Sequence, residues 1–358
     1  MPASGLPVHS SHTLSEILSQ PEIWRSSLRE LGRNVAFQSA LRNAAYRREW
    51  LFVGCGSSFY LAEAAAASWT MLTGQRARAL PASELLLFPQ LALLAGADLQ
   101  VVIISRSGRT SEAVRVAELL STKHSLPTLG LTCVENSNLA IACELTIVLS
   151  GVDEKSMVMT RSFTSMFLAL VHLAAASVSA RDGFPSFEGI AATLSSKIGK
   201  WNDCVESFVT KNSFEDYIYL AQGPLFPIAR EAALKITEMS CSYAQPYHTL
   251  EFRHGPKSIV APQTCLTFFL SDSGMQAESE VLLEMKELGG KTIAVCNRAS
   301  NSIRGACDLL FELEEDGPEL MRLALFIVPA QLLGFHTGIK MGFNPDEPKN
   351  LSRVVILD

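Results

Sequence analysis

Three places in this chain carry residues whose types and spacing could do chemistry. The first is the run Ser105-Arg106-Ser107-Gly108-Arg109-Thr110, which follows the strand-like stretch Leu99 to Ile104 and opens a helix-like stretch from Thr110 to Leu120. Hydroxyls and a glycine at a strand-to-helix turn can wrap an anion. The glycine lets the backbone come close, the hydroxyls donate, and the helix N-terminus supplies free N–H groups and a positive dipole. Phosphate fits such a turn. The plainer alternative is a serine-rich helix cap, for which one hydroxyl would suffice.

The second place is the helix predicted over Ile228 to Ser240, with Arg230, Glu231, Lys235 and Glu238. Lys235 and Glu238 stand three apart and share a face. On a solvated helix such a pair contributes ~0.2–0.5 kcal/mol. Here Ala232, Ala233, Leu234, Ile236 and Met239 make most of the helix apolar, so the pair is expected to be partly buried, with Glu238 a candidate proton acceptor. The third place is His254, in a His-Gly-Pro turn. Its imidazole titrates near neutrality and can carry a proton either way; the plainer alternative is a ring satisfied by turn carbonyls. A phosphate anchor, a carboxylate that moves a proton between C1 and C2, and a group that opens the ring are what sugar-phosphate isomerisation needs.

These residues must be held by elements, and the apolar pattern predicts strands alternating with helices, the mark of an α/β fold with parallel sheets. In the first half, strands are expected at Trp50–Val53, Val101–Ile104, Thr128–Val134 and Leu145–Leu149, followed by a long buried helix from Thr160 to Ala180. The second half repeats the order with Tyr217–Ala221, Thr267–Leu270, Thr292–Cys296 and Leu309–Leu313. Four landmarks recur at an offset of 163 to 169 residues: Gly54 and Gly223, Glu84 and Glu251, Ser105 and Ser271, Cys133 and Cys296. Same-order recurrence at so steady an offset reads as a duplicated domain.

The copies serve as controls for each other. Where the first reads Ser-Arg-Ser-Gly-Arg-Thr, the second reads Ser271-Asp-Ser-Gly-Met-Gln276, and Asp272 would repel a phosphate dianion. Where the first has Glu84-Leu-Leu-Leu-Phe-Pro89, the second has Glu251-Phe-Arg-His-Gly-Pro256. The first copy is thus expected to hold the anion and the second to supply the ionisable groups.

Composition bounds the rest. The 358 residues are 48% hydrophobic and 18% charged, enough for two globular cores. The net charge of -6, with no basic block, argues against nucleic acid and anionic membrane as partners. The longest apolar runs, Ala169 to Ala180 and Leu323 to Phe335, read as too short for a bilayer span. No signal-peptide order opens the chain. Eight cysteines stand singly, with no CxxC pair, so they are expected to be reduced core residues of a cytoplasmic protein, with no metal site.

Gly54-Cys-Gly-Ser57-Ser58, the Ser-x-Ser-Gly-x-Thr loop, Ala233-Leu-Lys-Ile-Thr-Glu238, Glu251-Phe-Arg-His-Gly-Pro256 and Pro348-Lys-Asn-Leu-Ser-Arg353 together resemble tandem sugar isomerase (SIS) domains over roughly residues 35 to 358. The chain is most similar to the isomerase half of glucosamine-6-phosphate synthase and to amino-sugar-phosphate isomerases and deaminases of the AgaS type. Leu14 to Pro21 is similar to the lead-in helix of these proteins.

The resemblance implies two flavodoxin-like three-layer sandwiches, each a parallel sheet flanked by helices. The expected division is a helical segment at 1–34, a phosphate-binding domain at 35–195, a domain with the catalytic Glu and His at 196–345, and a tail at 346–358 closing over the active site. It implies that Ser105, Ser107 and Thr110 bind phosphate, with Arg106 where glutamine is usual, and that Ser57 and Ser58 line the sugar site. Glu238 matches the C1/C2 base, with Lys235 beside it, and His254 the ring-opening residue, donated across a homodimer interface. No cofactor is implied.

Three departures bear on the reaction. Pro2 follows Met1, where a glutaminase would carry a cysteine nucleophile, so synthesis from glutamine is not expected. Arg353 stands where the synthase has a Schiff-base lysine, and an arginine that stays protonated cannot form an imine. Met159 replaces a sugar-contacting serine. The expectation is an isomerase or deaminase of an amino-sugar or ketose 6-phosphate. A fructosamine-6-phosphate deglycase and a non-catalytic sugar-phosphate-binding regulator remain the alternatives.

Overall fold

The computed structural model describes residues 11–44, 46, 49–93, 98–178 and 188–357. Its ten strands form two parallel five-stranded sheets. The first holds β1 (Glu49–Gly54), β2 (Arg76–Pro81), β3 (Leu99–Ile104), β4 (Thr128–Thr132) and β5 (Leu145–Val148), in the order β2-β1-β3-β4-β5. The second holds β6 (Asp216–Ala221), β7 (Ala244–His248), β8 (Thr264–Phe269), β9 (Lys291–Cys296) and β10 (Leu309–Glu312), in the order β10-β9-β8-β6-β7. Counted within each half the two orders are the same, so the duplication legible in the sequence is a duplication of topology.

β3 and β8 are buried along their whole length, which is why they read as unbroken apolar runs. β2 and β7 escape the sequence pattern for the opposite reason. Both are edge strands, half exposed, and β7 carries Pro246, a residue tolerated in a sheet only where its missing N–H faces no partner.

In both sheets the chain leaves the first strand to one side and returns on the other. The crevice between the carboxyl ends of β1 and β3 is therefore a topological switch point, the usual ligand position in such folds. The loop carrying Ser57 and Ser58 follows β1, and the Ser105–Thr110 loop follows β3.

A single large core joins the inner faces of both sheets through a layer of helices that includes Ser57–Thr73, Arg161–Val178, Phe226–Ser240 and Glu319–Lys340. Smaller cores lie under the outer helices of each sheet. The two apolar runs judged short in the sequence belong to longer helices. Arg161–Val178 and Glu319–Lys340 are long and apolar enough to cross a bilayer, yet 72% and 100% of their apolar windows are buried within the protein. Their hydropathy comes from sitting between two sheets.

The lead-in segment is two helices, His12–Leu18 and Gln20–Leu31, with Pro21 in the first turn of the second. The boundary expected at 195/196 falls inside the continuous helix Glu188–Lys211. All eight cysteines are free, and Cys133, Cys143, Cys265 and Cys296 are buried.

Candidate active site

The Ser105–Thr110 loop is a tight cup. Gly108 N–H donates to the Ser105 carbonyl at 3.1 Å, Arg109 N–H donates to Ser107 Oγ at 3.2 Å, and Ser105 Oγ lies 3.2 Å from Thr110 Oγ1. Gly108 is required twice over. Its φ is +60°, and a Cβ there would lie 2.1 Å from Ser137 Oγ. Thr110 occupies the N-cap of the helix Ser111–Leu119, but its side chain caps nothing. The Ser105 and Thr110 hydroxyls thus face each other at a helix N-terminus, without either serving as its side-chain cap.

The helix Ser57–Thr73 starts at the neighbouring loop, with Ser57 and Ser58 in its first turn and both buried. Ser58 Oγ lies 3.9 Å from Met159 Sδ, so the methionine noted in the sequence does line this corner. Cys55 lies in the same loop. Burial, with the nearby Glu112 adding, pushes its thiol up to about 12.

Ser57 also receives the second module. Lys235, fully buried, donates from Nζ to Ser57 Oγ at 3.2 Å. The same ammonium lies 2.5 Å from Glu238 Oε2 and 3.2 Å from Glu231 Oε1. The helix Phe226–Ser240 is fixed in this position from both sides. Arg230 Nη1 sits 2.5 Å from Glu63 of the Ser57–Thr73 helix, with its guanidinium 4.5 Å from the Tyr60 ring centre. On the other flank Gly338 lets the Glu319–Lys340 helix press on the backbone, since a Cβ there would be 2.3 Å from the Met239 carbonyl.

Burial works against charge on Lys235, but Glu231 and Glu238 outweigh it and raise its pKa, so the side chain is an ammonium. Glu238 keeps 17% side-chain exposure while Glu231 has none. The pair expected to be partly buried is thus part of a buried cluster of three ionisable groups. Glu231 was visible as the residue four before Lys235, the favourable order on a helix, but only packing shows that it faces the same ammonium.

Arg106 is placed differently from the loop's hydroxyls. Its guanidinium turns away to the fully buried Glu154, 3.1 Å away, and donates to the carbonyls of Met157 at 2.8 Å and Val158 at 3.3 Å. Glu154 in turn accepts from Thr160 N–H at 2.6 Å and from the Ser162 hydroxyl. Arg106 thereby fixes the segment that presents Met159.

Arg353 pairs with Asp153 at 2.7 Å and donates to the Glu154 carbonyl. Beyond it the tail crosses the helix that follows the serine loop: Ser111 N–H donates to the Val355 carbonyl at 3.2 Å, and Leu357 N–H to Ser111 Oγ at 2.9 Å.

His254 stands apart from this cluster. It is exposed, and among the described residues its ring makes no hydrogen bond, ion pair or stacking contact. The turn that carries it is held to the helix Met275–Glu287 by Arg253 and Lys257, both on Glu284 at 2.7 and 2.6 Å.

The equivalent turn of the second module holds its own anion. Glu278 Oε2 accepts from Ser271 N–H at 2.6 Å and Oε1 from Ser271 Oγ at 2.9 Å, while Ser271 Oγ accepts from Gly274 N–H. Of two matched turns, the second is filled by a carboxylate from within.

Fold and site together define a doubly wound, two-module α/β protein with a serine-rich turn at the switch point of one module and buried ionisable groups delivered by the other. The chain belongs to the SIS domain family, whose model matches residues 46–176 and 215–337. It is 27% identical to a putative D-galactosamine-6-phosphate deaminase AgaS of Streptomyces coelicolor, over 97% of this chain and 94% of that protein. It is 22% identical to a glutamine–fructose-6-phosphate aminotransferase (isomerizing) of Methanothermobacter thermautotrophicus; the match covers 96% of this chain but only 57% of that protein's length. A crystal structure of glucosamine-6-phosphate deaminase from Thermotoga maritima superimposes with a TM-score of 0.77 at 27% identity, covering 97% of this chain and all of that one.

Proposed function

We propose that this protein converts an amino-sugar 6-phosphate to a ketose 6-phosphate and ammonia, by an aldose–ketose isomerisation coupled to loss of the amine. The observation that carries the reading is the Lys235–Ser57 hydrogen bond. It ties the Glu238 carboxylate of one module to the loop beside the anion cup of the other. Relatives of this family that act on amino-sugar phosphates match the chain over nearly its whole length.

In this reading the phosphoryl group sits among Ser105, Ser107, Thr110 and the N-terminus of the helix Ser111–Leu119. The sugar lies toward Ser57, Ser58 and Met159. Glu238 takes the proton from C2 of the open-chain amino sugar and returns it to C1 through an enolamine. The ketimine so formed at C2 adds water and releases ammonia, which balances the reaction without a redox partner. Ring opening falls to the partner subunit's His254, so a homodimer is the minimal active unit. The tail around Arg353 closes the cup, and Arg353, always charged, steadies the phosphate side without forming an imine.

Incubation with glucosamine 6-phosphate and galactosamine 6-phosphate, followed by assay of ammonia and ketose 6-phosphate, tests the reading. Ketose without ammonia from an aldose 6-phosphate would reduce it to simple isomerisation. Tight sugar-phosphate binding with no turnover of any hexose or hexosamine 6-phosphate would replace it with a regulator.

A further inference from the structure

The fully buried Lys235 ammonium is surrounded by three oxygens. Glu238 Oε2 lies at 2.5 Å, Glu231 Oε1 at 3.2 Å and Ser57 Oγ at 3.2 Å. Apart from that ammonium, neither Glu231 oxygen has a hydrogen bond of ordinary geometry among the described residues, although the side chain is fully buried. Two ionised carboxylates with one ammonium would leave an unbalanced charge beside the fully buried side chains of Lys235 and Glu231, which is costly. One proton on the carboxyl pair removes the imbalance.

We propose that Glu231 is a positioning residue: it shares one proton with Glu238 across Lys235 and so sets how strong a base Glu238 is. This rests on the proposed function for the identity of the base, but the shared proton stands on the geometry alone.

The deeper carboxyl should hold the proton. Burial lifts Glu231 to about 7, with Lys235 pulling it down, Glu238 adding to it and Ser57 pulling it down. Ionisable groups on the elements packed against this helix are engaged elsewhere. Glu63 is taken by Arg230, His248 of β7 stacks on Phe226 at 3.7 Å, and Tyr219 of β6 is kept neutral by burial. On the Glu319–Lys340 helix, Arg322 binds the Glu315 and Gly317 carbonyls, His336 lies on Asn202, and Lys340 is held by the Val209 and Asn212 carbonyls.

The consequence for the base is direct. With Glu231 protonated, the ammonium leans on Glu238 alone, and a carboxylate so paired is a weak proton acceptor. When Glu231 ionises, the ammonium is shared and Glu238 binds a proton more strongly. Turnover should therefore rise with pH through about 7, a property of the coupled cluster rather than of one residue.

Two measurements on the intact protein test this. Infrared difference spectra of the ligand-free protein should show a protonated-carboxyl band that disappears as the pH rises through about 7 and is missing from Glu231→Gln at every pH. In turnover, Glu231→Gln should lose the rising step and stay at the acid-side level, on the order of tenfold below wild type at pH 8, with KM little changed. A purely structural Glu231 would lower the melting temperature of the variant and leave the shape of the pH profile intact; that result, or absence of the band, overturns the proposal. Should Glu231→Gln fail to fold, Glu231→Asp must move the band and the step together. If no sugar phosphate turns over, the proposed function fails while the infrared experiment still decides where the proton sits.

Discussion

Glu278 closes, in the second module, the turn that corresponds to Ser105 to Thr110 in the first: its carboxylate accepts from both the N–H and the hydroxyl of Ser271. Burial raises its pKa against those two bonds. Both following helices carry a carboxylate in their first turn, Glu112 and Glu278, and Glu278 is the one that bonds the serine of its own turn.

Glu278→Ala leaves Ser271 N–H and its hydroxyl without an acceptor in a buried place. The expected cost is about 1–3 kcal/mol of stability, read by urea unfolding, with sugar-phosphate affinity unchanged. A loss of ligand affinity larger than the loss of stability would mean that the second turn also takes part in binding.

Ser105→Ala, Ser107→Ala and Thr110→Val should each weaken binding of fructose 6-phosphate or inorganic phosphate. Hydrogen bonds to a charged group contribute about 1.5–3 kcal/mol each, so calorimetry should show losses of roughly ten- to a hundredfold. Unchanged affinity in all three would move the phosphate elsewhere.

Glu238→Gln keeps the shape of the site and removes the base. Turnover should fall by roughly 10²–10⁴-fold while ligand affinity changes little. Parallel loss of both would point to a disturbed Lys235 cluster instead.

Arg106→Met would strand Glu154, fully buried, without its cation. Breaking a buried pair from one side costs about 3–5 kcal/mol. The melting temperature should drop sharply, and the double variant with Glu154→Gln should recover part of the loss.

Asp346 joins the two ends of the described chain, accepting from Thr13 N–H at 2.8 Å, Thr13 Oγ1 at 2.7 Å and Ser11 Oγ at 2.9 Å. Its burial would raise its pKa, but these bonds win and lower it below the ordinary 3.8. A carboxyl with a depressed folded pKa contributes stability that is fully present above its unfolded value and is lost as pH falls through the folded one. The gap in melting temperature between wild type and Asp346→Asn should therefore be constant near neutrality and close on acidification. A gap that widened in acid would contradict the assignment.

Much of this was legible in the residues. The six inner strands announce themselves because a parallel strand covered on both faces is apolar nearly throughout, and the steady offset of landmarks such as Ser105 and Ser271 exposes the duplication. β2 and β7 are silent because Arg76, Arg78 and Pro81 in one, and Gln245, Pro246 and His248 in the other, leave no apolar run to read. The long buried helix expected from Thr160 is Arg161–Val178, whereas Glu319–Lys340 shows in the sequence only as an apolar run, since burial between two sheets gives a helix the hydropathy of a membrane span without the periodicity of a surface one.

By itself, then, the sequence determined the chemistry available: which turn could bind an anion, which helix carried a carboxylate beside a lysine, and which turn carried an imidazole. Tertiary structure alone decided who meets whom. Lys235 meets Ser57 across 178 residues, Arg106 turns to Glu154 rather than to the cup, and Glu231 joins the cluster from behind. Side-chain type is local, but desolvation and charge pairing depend on neighbours brought together by packing, and no spacing along the chain encodes them.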